Sequence, residues 1–161
     1  MRFISSLFYF ILLLIFFSSC DIKPTGEKIL LNSNWEFYSD IDNKWYPAKV
    51  PGNIHTDLHN NSLIEDPFYC NNETSLQWIG EKNWTYQTIF IIEDINEDRN
   101  YELVFEGIDT HAEIYLNETK IGVCENMYLK YTFPIADSLL QTKNFLEVKF
   151  TPCSPSCRLT R

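Results

Sequence analysis

Four side chains of this sequence could close around a metal ion. His55 and His59 stand four residues apart, and Cys153 and Cys157 flank Ser-Pro-Ser; together they form the two-nitrogen, two-sulfur set that tetrahedral zinc accepts. Their neighbours argue against that use. His55 is followed by Thr56, where the helix of a zinc protease carries Glu, and the two cysteines lie in a Pro-containing tail. The residues therefore read as structural: His55 caps or hydrogen-bonds a loop, His59 lies on a solvated face, and neither a metal nor a cofactor is expected. Both histidines belong to residues 50–90, which crowd turn formers, aromatics and the carboxylates of Glu65, Asp66 and Glu73 into one stretch. A loop of that length in a compact domain is usually functional, because ordering it costs entropy that packing alone rarely recovers.

The elements that must hold this stretch read as strands. Residues 84–92 are rich in β-branched and aromatic side chains, and residues 101–108 and 111–117 follow between turn residues. A hairpin turn at 117–120 leads into 121–124. Residues 145–150 alternate cleanly and stop before Pro152, which cannot donate to a ladder. Short helices are expected around 54–61, with Thr56 or Asp57 in the first turn, and around 135–141. Short strands at this spacing predict an all-β sandwich, with no repeat of fixed period that would suggest a propeller or solenoid.

At 161 residues the chain has room for one core and no large multidomain enzyme. Its net charge of -9 and lack of a basic patch disfavour nucleic acid, whose phosphates need clustered Lys and Arg. Residues 1–20 carry one early Arg, an apolar run at 7–17 and then Ser18-Ser19-Cys20, the pattern of an export signal. The run is shorter than the roughly 20 apolar residues of a membrane span. Ser18-Ser19-Cys20 resembles a bacterial lipobox, although Phe17 stands where a smaller aliphatic residue is usual. The expectation is an exported chain anchored in a membrane through lipid on Cys20, with plain secretion after signal cleavage as the alternative. Cys70, Cys124, Cys153 and Cys157 then make an even set that an oxidising compartment could pair, in a connectivity the spacing leaves open. Residues 21–28 read as a polar tether, 29–152 as the domain and 153–161 as a divergent tail.

Several linked motifs, among them "VPGNIHTDL", "LIEDPFY", "LQWIGEKNWTY", "LVFEGIDTHAEIYLN" and "ENMYLKYTFPI", resemble in order and spacing the amino-terminal domain of β-mannosidases of glycoside hydrolase family two. The resemblance runs from about residue 31 to 150. It implies a jelly-roll sandwich of the galactose-binding-like type, followed in the family by immunoglobulin-like sandwiches and a TIM barrel that supplies two catalytic glutamates for hydrolysis of terminal β-mannose. The tail after Phe150 leaves the family pattern, which reads as truncation before that barrel. The sugar-contacting surface implied for this domain is "DPFYCNNE" with its flanks: Asp66, Asn72, Glu73 and, as an exposed stacking ring, Trp78.

Catalysis by the chain alone is not expected. A retaining mechanism needs two carboxyls about 5 Å apart with one held protonated, and loop carboxylates such as Glu65, Asp66 and Glu73 more often cap turns or face water. Asn72 and Glu73 could equally serve hydrogen bonding inside the loop, and three of Trp35, Trp45, Trp78 and Trp84 should be core or loop anchors. The expected function is thus a non-catalytic, sugar-site-shaping domain. The alternatives are a free-standing carbohydrate-binding module at the cell envelope and an eroded gene product. Asn60, Asn72, Asn83 and Asn117 each begin an Asn-x-Ser/Thr sequon.

Overall fold

Alternation along the strands sorts the side chains into an inner and an outer set. In β1 (Trp35–Ser39) the inner residues Trp35, Phe37 and Ser39 are buried, while Glu36 is exposed and Tyr38 half-buried. The computed structural model describes residues 26–96 and 98–152 of the chain. Contacts divide it into two units, Met1–Leu30 and Leu31–Arg161. The described part of the first, residues 26–30, is exposed and irregular.

The described part of the second unit holds eight strands: β1, β2 (Lys44–Ala48), β3 (Trp84–Ile91), β4 (Tyr101–Phe105), β5 (His111–Leu116), β6 (Thr119–Cys124), β7 (Tyr131–Ile135) and β8 (Lys143–Thr151). All pair antiparallel, in a six-stranded sheet ordered β2-β1-β3-β8-β5-β6 and a two-stranded sheet of β4 and β7. The fold is an all-β jelly-roll sandwich. Every strand expected from sequence is present, although the one at 101–108 ends at Phe105 and the last extends to Lys143–Thr151. β1, β2 and β7 were not foreseen.

One inner row crosses all six strands of the large sheet. Tyr46 faces Phe37, Phe37 faces Tyr86, Tyr86 faces Val148, Val148 faces Ile114, and Ile114 faces Gly122. Phe37 and Ile114 are fully buried, a burial that stabilises by roughly 1.5–3 kcal/mol per side chain. At the β6 end the row finishes in Gly122 because the second sheet needs the space. A Cβ there would lie 2.0 Å from the Phe133 ring, which β7 delivers onto the large sheet and which stacks with Tyr131 and meets Phe105 edge-on. The β5–β6 hairpin closes through Asn117 and Glu118, both at positive φ, as a two-residue mirror-image turn requires. Asn117 Nδ2 donates to the Leu139 carbonyl at 2.7 Å and to Asn144 Oδ1 at 3.0 Å, so the amide of that sequon is already engaged.

The β1–β2–β3 end of the same face is covered differently. Because β2 and β3 flank β1, the chain between them must cross over β1, and residues 49–83 do so on the inner face. They are less irregular than expected, with α1 (Ile54–Asn60), α2 (Asn72–Ser75) and a 3-10 segment at Gln77–Glu81. Leu58 and Ile79 are buried against Phe37, Trp84 and Tyr86 in one core. The second expected helix is a single 3-10 turn, Asp137–Leu139.

Cys70 is an exposed free thiol and Cys124 a buried one, pushed up to about 11 by burial. Cys20, Cys153 and Cys157, and with them the signal and the tail, lie outside the described residues. Among the described residues no helix is long and apolar enough to cross a membrane, and no cluster of three or more His, Cys, Asp or Glu could hold a metal ion.

Candidate functional site

The motif that opens the crossing segment is a latch. Asn53, rather than His55, caps α1, its Oδ1 accepting from the Thr56 amide at 2.9 Å, and Asp57 lies in the first turn as expected. Asp57 is turned inward and is 2% exposed. Its Oδ1 accepts from the Lys49 amide at 3.0 Å and its Oδ2 from the Tyr86 hydroxyl at 2.9 Å, which pins the helix to β3. Burial raises the Asp57 carboxyl above its usual range against the opposing pull of those two bonds. The same burial, together with the Asp57 charge, raises the Tyr86 hydroxyl. Trp84 Nε1 donates to the Ile79 carbonyl at 2.9 Å and ties down the far end of the crossing. Along this segment Leu58 and Trp84 are buried, Ile64 is half-buried and Pro51 is exposed.

Between these anchors, residues 65–73 form a braced turn. Asp66 Oδ1 accepts from the Phe68 amide at 2.9 Å, and its carbonyl accepts from the Tyr69 amide and, at 2.9 Å, from Asn72 Nδ2. Cys70 takes a positive φ of 52. The brace presents Phe68 and Tyr69 to solvent at 96% and 68% exposure. Asp66 Oδ1 and Asn72 Nδ2 are thus engaged within the loop. Trp78 is half-buried rather than exposed, with its ring 6.4 Å from that of Trp84 and one face under Lys82 Nζ at 5.5 Å. Trp45, on the edge strand, is the exposed tryptophan.

Of the four sequence-nominated residues, Glu73 borders the cleft on this segment. An open cleft of about 430 Å³ is bordered by Glu73, His55, Gln77 and Glu81, with Pro67 and Leu76 supplying apolar wall. Sequence reasoning passed over Gln77 and Glu81. No periodic signal marked them: Glu73 lies in the short helix Asn72–Ser75 and Gln77 and Glu81 at the two ends of a 3-10 segment, so no single helical face joins the three.

The comparisons with known proteins decide the family. The model for "Glycosyl hydrolase 2 galactose-binding domain-like" matches residues 35–157. The chain belongs to that family. Other members of glycosyl hydrolase 2 resemble it across most of its length. The β-mannosidase of Mus musculus is 35% identical over 87% of this chain and 16% of its own length, and β-mannosidase B of Thermothelomyces thermophilus is 38% identical over 76% and 15%. A crystal structure of a β-D-mannosidase from Dictyoglomus thermophilum superposes with a TM-score of 0.73 at 43% identity, covering 81% of this chain and 16% of that one. An exo-chitosanase from Amycolatopsis orientalis, at 21% identity and a TM-score of 0.67, shares the fold. The chain thus spans about one-sixth of the length of these curated relatives.

Proposed function

We propose that the chain serves as the non-catalytic amino-terminal domain of a β-mannosidase-type glycoside hydrolase, shaping a site for terminal β-mannose whose catalytic carboxylates lie on another domain. The observation that carries this reading is the 43% identity to a β-D-mannosidase of which the chain covers 16%. The braced, aromatic-tipped turn at 65–73 supports it. The turn is hydrogen-bonded at its base and uncovered at its tip, a form suited to packing against a neighbouring domain. Asp66 and Asn72 then act by holding the turn, Trp78 by packing the segment against Trp84 and the core, and Glu73 by contact.

By itself the chain is expected to release no product from a chromogenic β-mannoside. Grafted in place of the corresponding domain of the Dictyoglomus thermophilum enzyme, residues 31–152 are expected to support hydrolysis. Glu73→Ala in that graft should lower kcat/KM about tenfold, the worth of one hydrogen bond to a charged group. Turnover by the isolated chain, or a folded graft without activity, would sink the reading.

Export belongs to the same proposal, with Cys20 as the acylated residue. It rests on the Ser-Ser-Cys sequence after the apolar run. Metabolic labelling with a fatty-acid analogue is expected to mark the chain and to be lost in Cys20→Ser; equal labelling of both would rule it out.

A further inference from the structure

The β6–β7 loop presents apolar surface that the domain's own core does not use. Met127, Tyr128 and Leu129 are 42%, 86% and 52% exposed and stand outside the core cluster, yet the loop that carries them is held in place. The Tyr131 hydroxyl accepts from the amides of Glu125 and Asn126 at 2.9 and 2.8 Å, and its ring stacks on Phe133. Asn126 Oδ1 accepts from the Tyr128 amide at 2.9 Å, and the Asn126 carbonyl from the Leu129 amide at 3.3 Å. Lys130 Nζ reaches Glu106 Oε1 on the β4–β5 connection at 3.4 Å. The backbone is thus ordered in advance of any contact, which removes much of the entropy cost of making one, while three consecutive apolar side chains stay in water.

Strand register fixes where this loop sits. Cys124, the last residue of β6, lies opposite Ala112, which lies opposite Phe150, and β8 finishes one residue later at Thr151. Polypeptide that follows β8 therefore leaves the sheet two strand spacings, about 10 Å, from the base of the loop. We propose that residues 127–129 are a docking knob, centred on Tyr128, for an apolar socket on the domain that follows β8 in the same polypeptide. The existence of that domain rests on the functional reading above; the choice of the knob does not. Area selects a tethered partner over a free one. Three side chains at these exposures offer roughly 400 Å², half of the about 800 Å² that each partner brings to a stable interface between separate chains. A domain joined by a short linker needs less, because it is held at an effective concentration in the millimolar range. A phenol at the centre suits the contact, since its ring fills an apolar pocket and its hydroxyl takes a hydrogen bond at the rim.

Hydroxyl-radical footprinting reads the exposure of Met127 and Tyr128 directly. In the isolated chain both are expected to oxidise freely, and in the graft into the Dictyoglomus thermophilum enzyme described above both should oxidise severalfold more slowly. Tyr128→Asp should restore rapid oxidation of Met127 in the graft and leave the unfolding midpoint of the isolated chain unchanged, as an exposed substitution does. If the whole-domain graft does not fold, the same footprint is read on the enzyme carrying residues 125–130 in place of its own corresponding loop. Equal oxidation in the chain and the folded graft, or protection of Met127 that survives Tyr128→Asp, would overturn the proposal. So would protection in the isolated chain that grows with its concentration, which would give the surface to a second copy. A graft that hydrolyses β-mannosides with the knob unprotected leaves the functional reading standing and the docking site fallen. An inert, folded graft with the knob protected does the reverse.

Discussion

Asp57→Ala is expected to cost the domain about 3–5 kcal/mol, enough to lower its urea midpoint by about 2 M and to leave a large fraction unfolded at 37 °C. The estimate follows from what the carboxylate holds. It is 2% exposed, and truncation leaves two donors inside the protein, the Lys49 amide and the Tyr86 hydroxyl, with nothing to bond. Each buried donor without a partner costs about 1–3 kcal/mol, and the space left by the carboxyl adds to that. Domains of this size hold only about 5–15 kcal/mol in total, so one latch is a large share. Chemical denaturation followed by tryptophan fluorescence checks the value, since buried Trp84 lies beside the segment the latch secures. A loss under about 1 kcal/mol would mean that water replaces the carboxylate without penalty.

The same residue sets a pH dependence of definite sign. Folding raises the Asp57 carboxyl above its ordinary 3.8 because burial outweighs the bonds from Lys49 and Tyr86. Between the unfolded and the folded pKa the native state holds more protons than the unfolded state, so stability falls as pH rises through that window. Its contribution is greatest below about pH 3.8 and is lost as pH climbs through the folded value. The bonded carboxylates of Asp42 and Glu113 are shifted down, chiefly by the Tyr46 hydroxyl and by Lys120 respectively, and act in the opposite direction. A difference measurement is therefore needed. Asp57→Asn keeps the volume, an acceptor for the Lys49 amide and a donor for the Tyr86 oxygen, and is expected to cost about 1 kcal/mol at low pH. That deficit should shrink as pH rises above about 4, since only the wild type then acquires a buried charge. A deficit that grows with pH would reverse the assignment.

What was legible in the sequence follows from how each element is stabilised. β3, β5 and β8 are interior strands whose alternation of buried and outward residues is regular enough to read directly. β2 and β7 contain Pro47 and Pro134, which break a strand pattern; both are tolerated because neither strand has neighbours on both sides. β1 is five residues long and owes its stability to tertiary partners rather than to propensity. The crossing segment was the hardest to read. Its density of polar and turn residues looks like a functional loop, yet half of that polarity is structural: Asn53 caps, Asp57 latches, Asp66 and Asn72 brace. Burial decides between those roles, and burial here depends on β2 and β3 lying on opposite sides of β1, a topological fact that local sequence does not state. Glu73 was identified because the family motif runs through it, while Gln77 and Glu81 sit at the two ends of a 3-10 segment with no periodic pattern to single them out.

Gly52→Ala is expected to be nearly as damaging as loss of the latch, at on the order of 3 kcal/mol, and for a reason of space alone. A Cβ at position 52 would lie 2.1 Å from the Lys49 carbonyl oxygen and 3.1 Å from its carbon. No rotamer relieves such a contact, because both partners are fixed to the backbone; Lys49 must move or the turn must open. Lys49 is poorly placed to move. It directly follows β2, and its amide donates to Asp57 at 3.0 Å, so displacing its carbonyl pulls on the bond that holds α1 to the sheet. Opening the turn instead displaces Asn53, the cap of the same helix. Either relaxation reaches the latch, and the two substitutions should therefore be less than additive. The double variant Gly52→Ala, Asp57→Ala is expected to lose at least about 1 kcal/mol less than the sum of the singles, as coupled neighbours do. Gly80→Ala is the control, since nothing lies within 4 Å of its Cβ, and it should stay within about 0.5 kcal/mol of wild type. Additive singles, or a Gly52→Ala variant as stable as Gly80→Ala, would show that the turn relaxes without reaching Asp57.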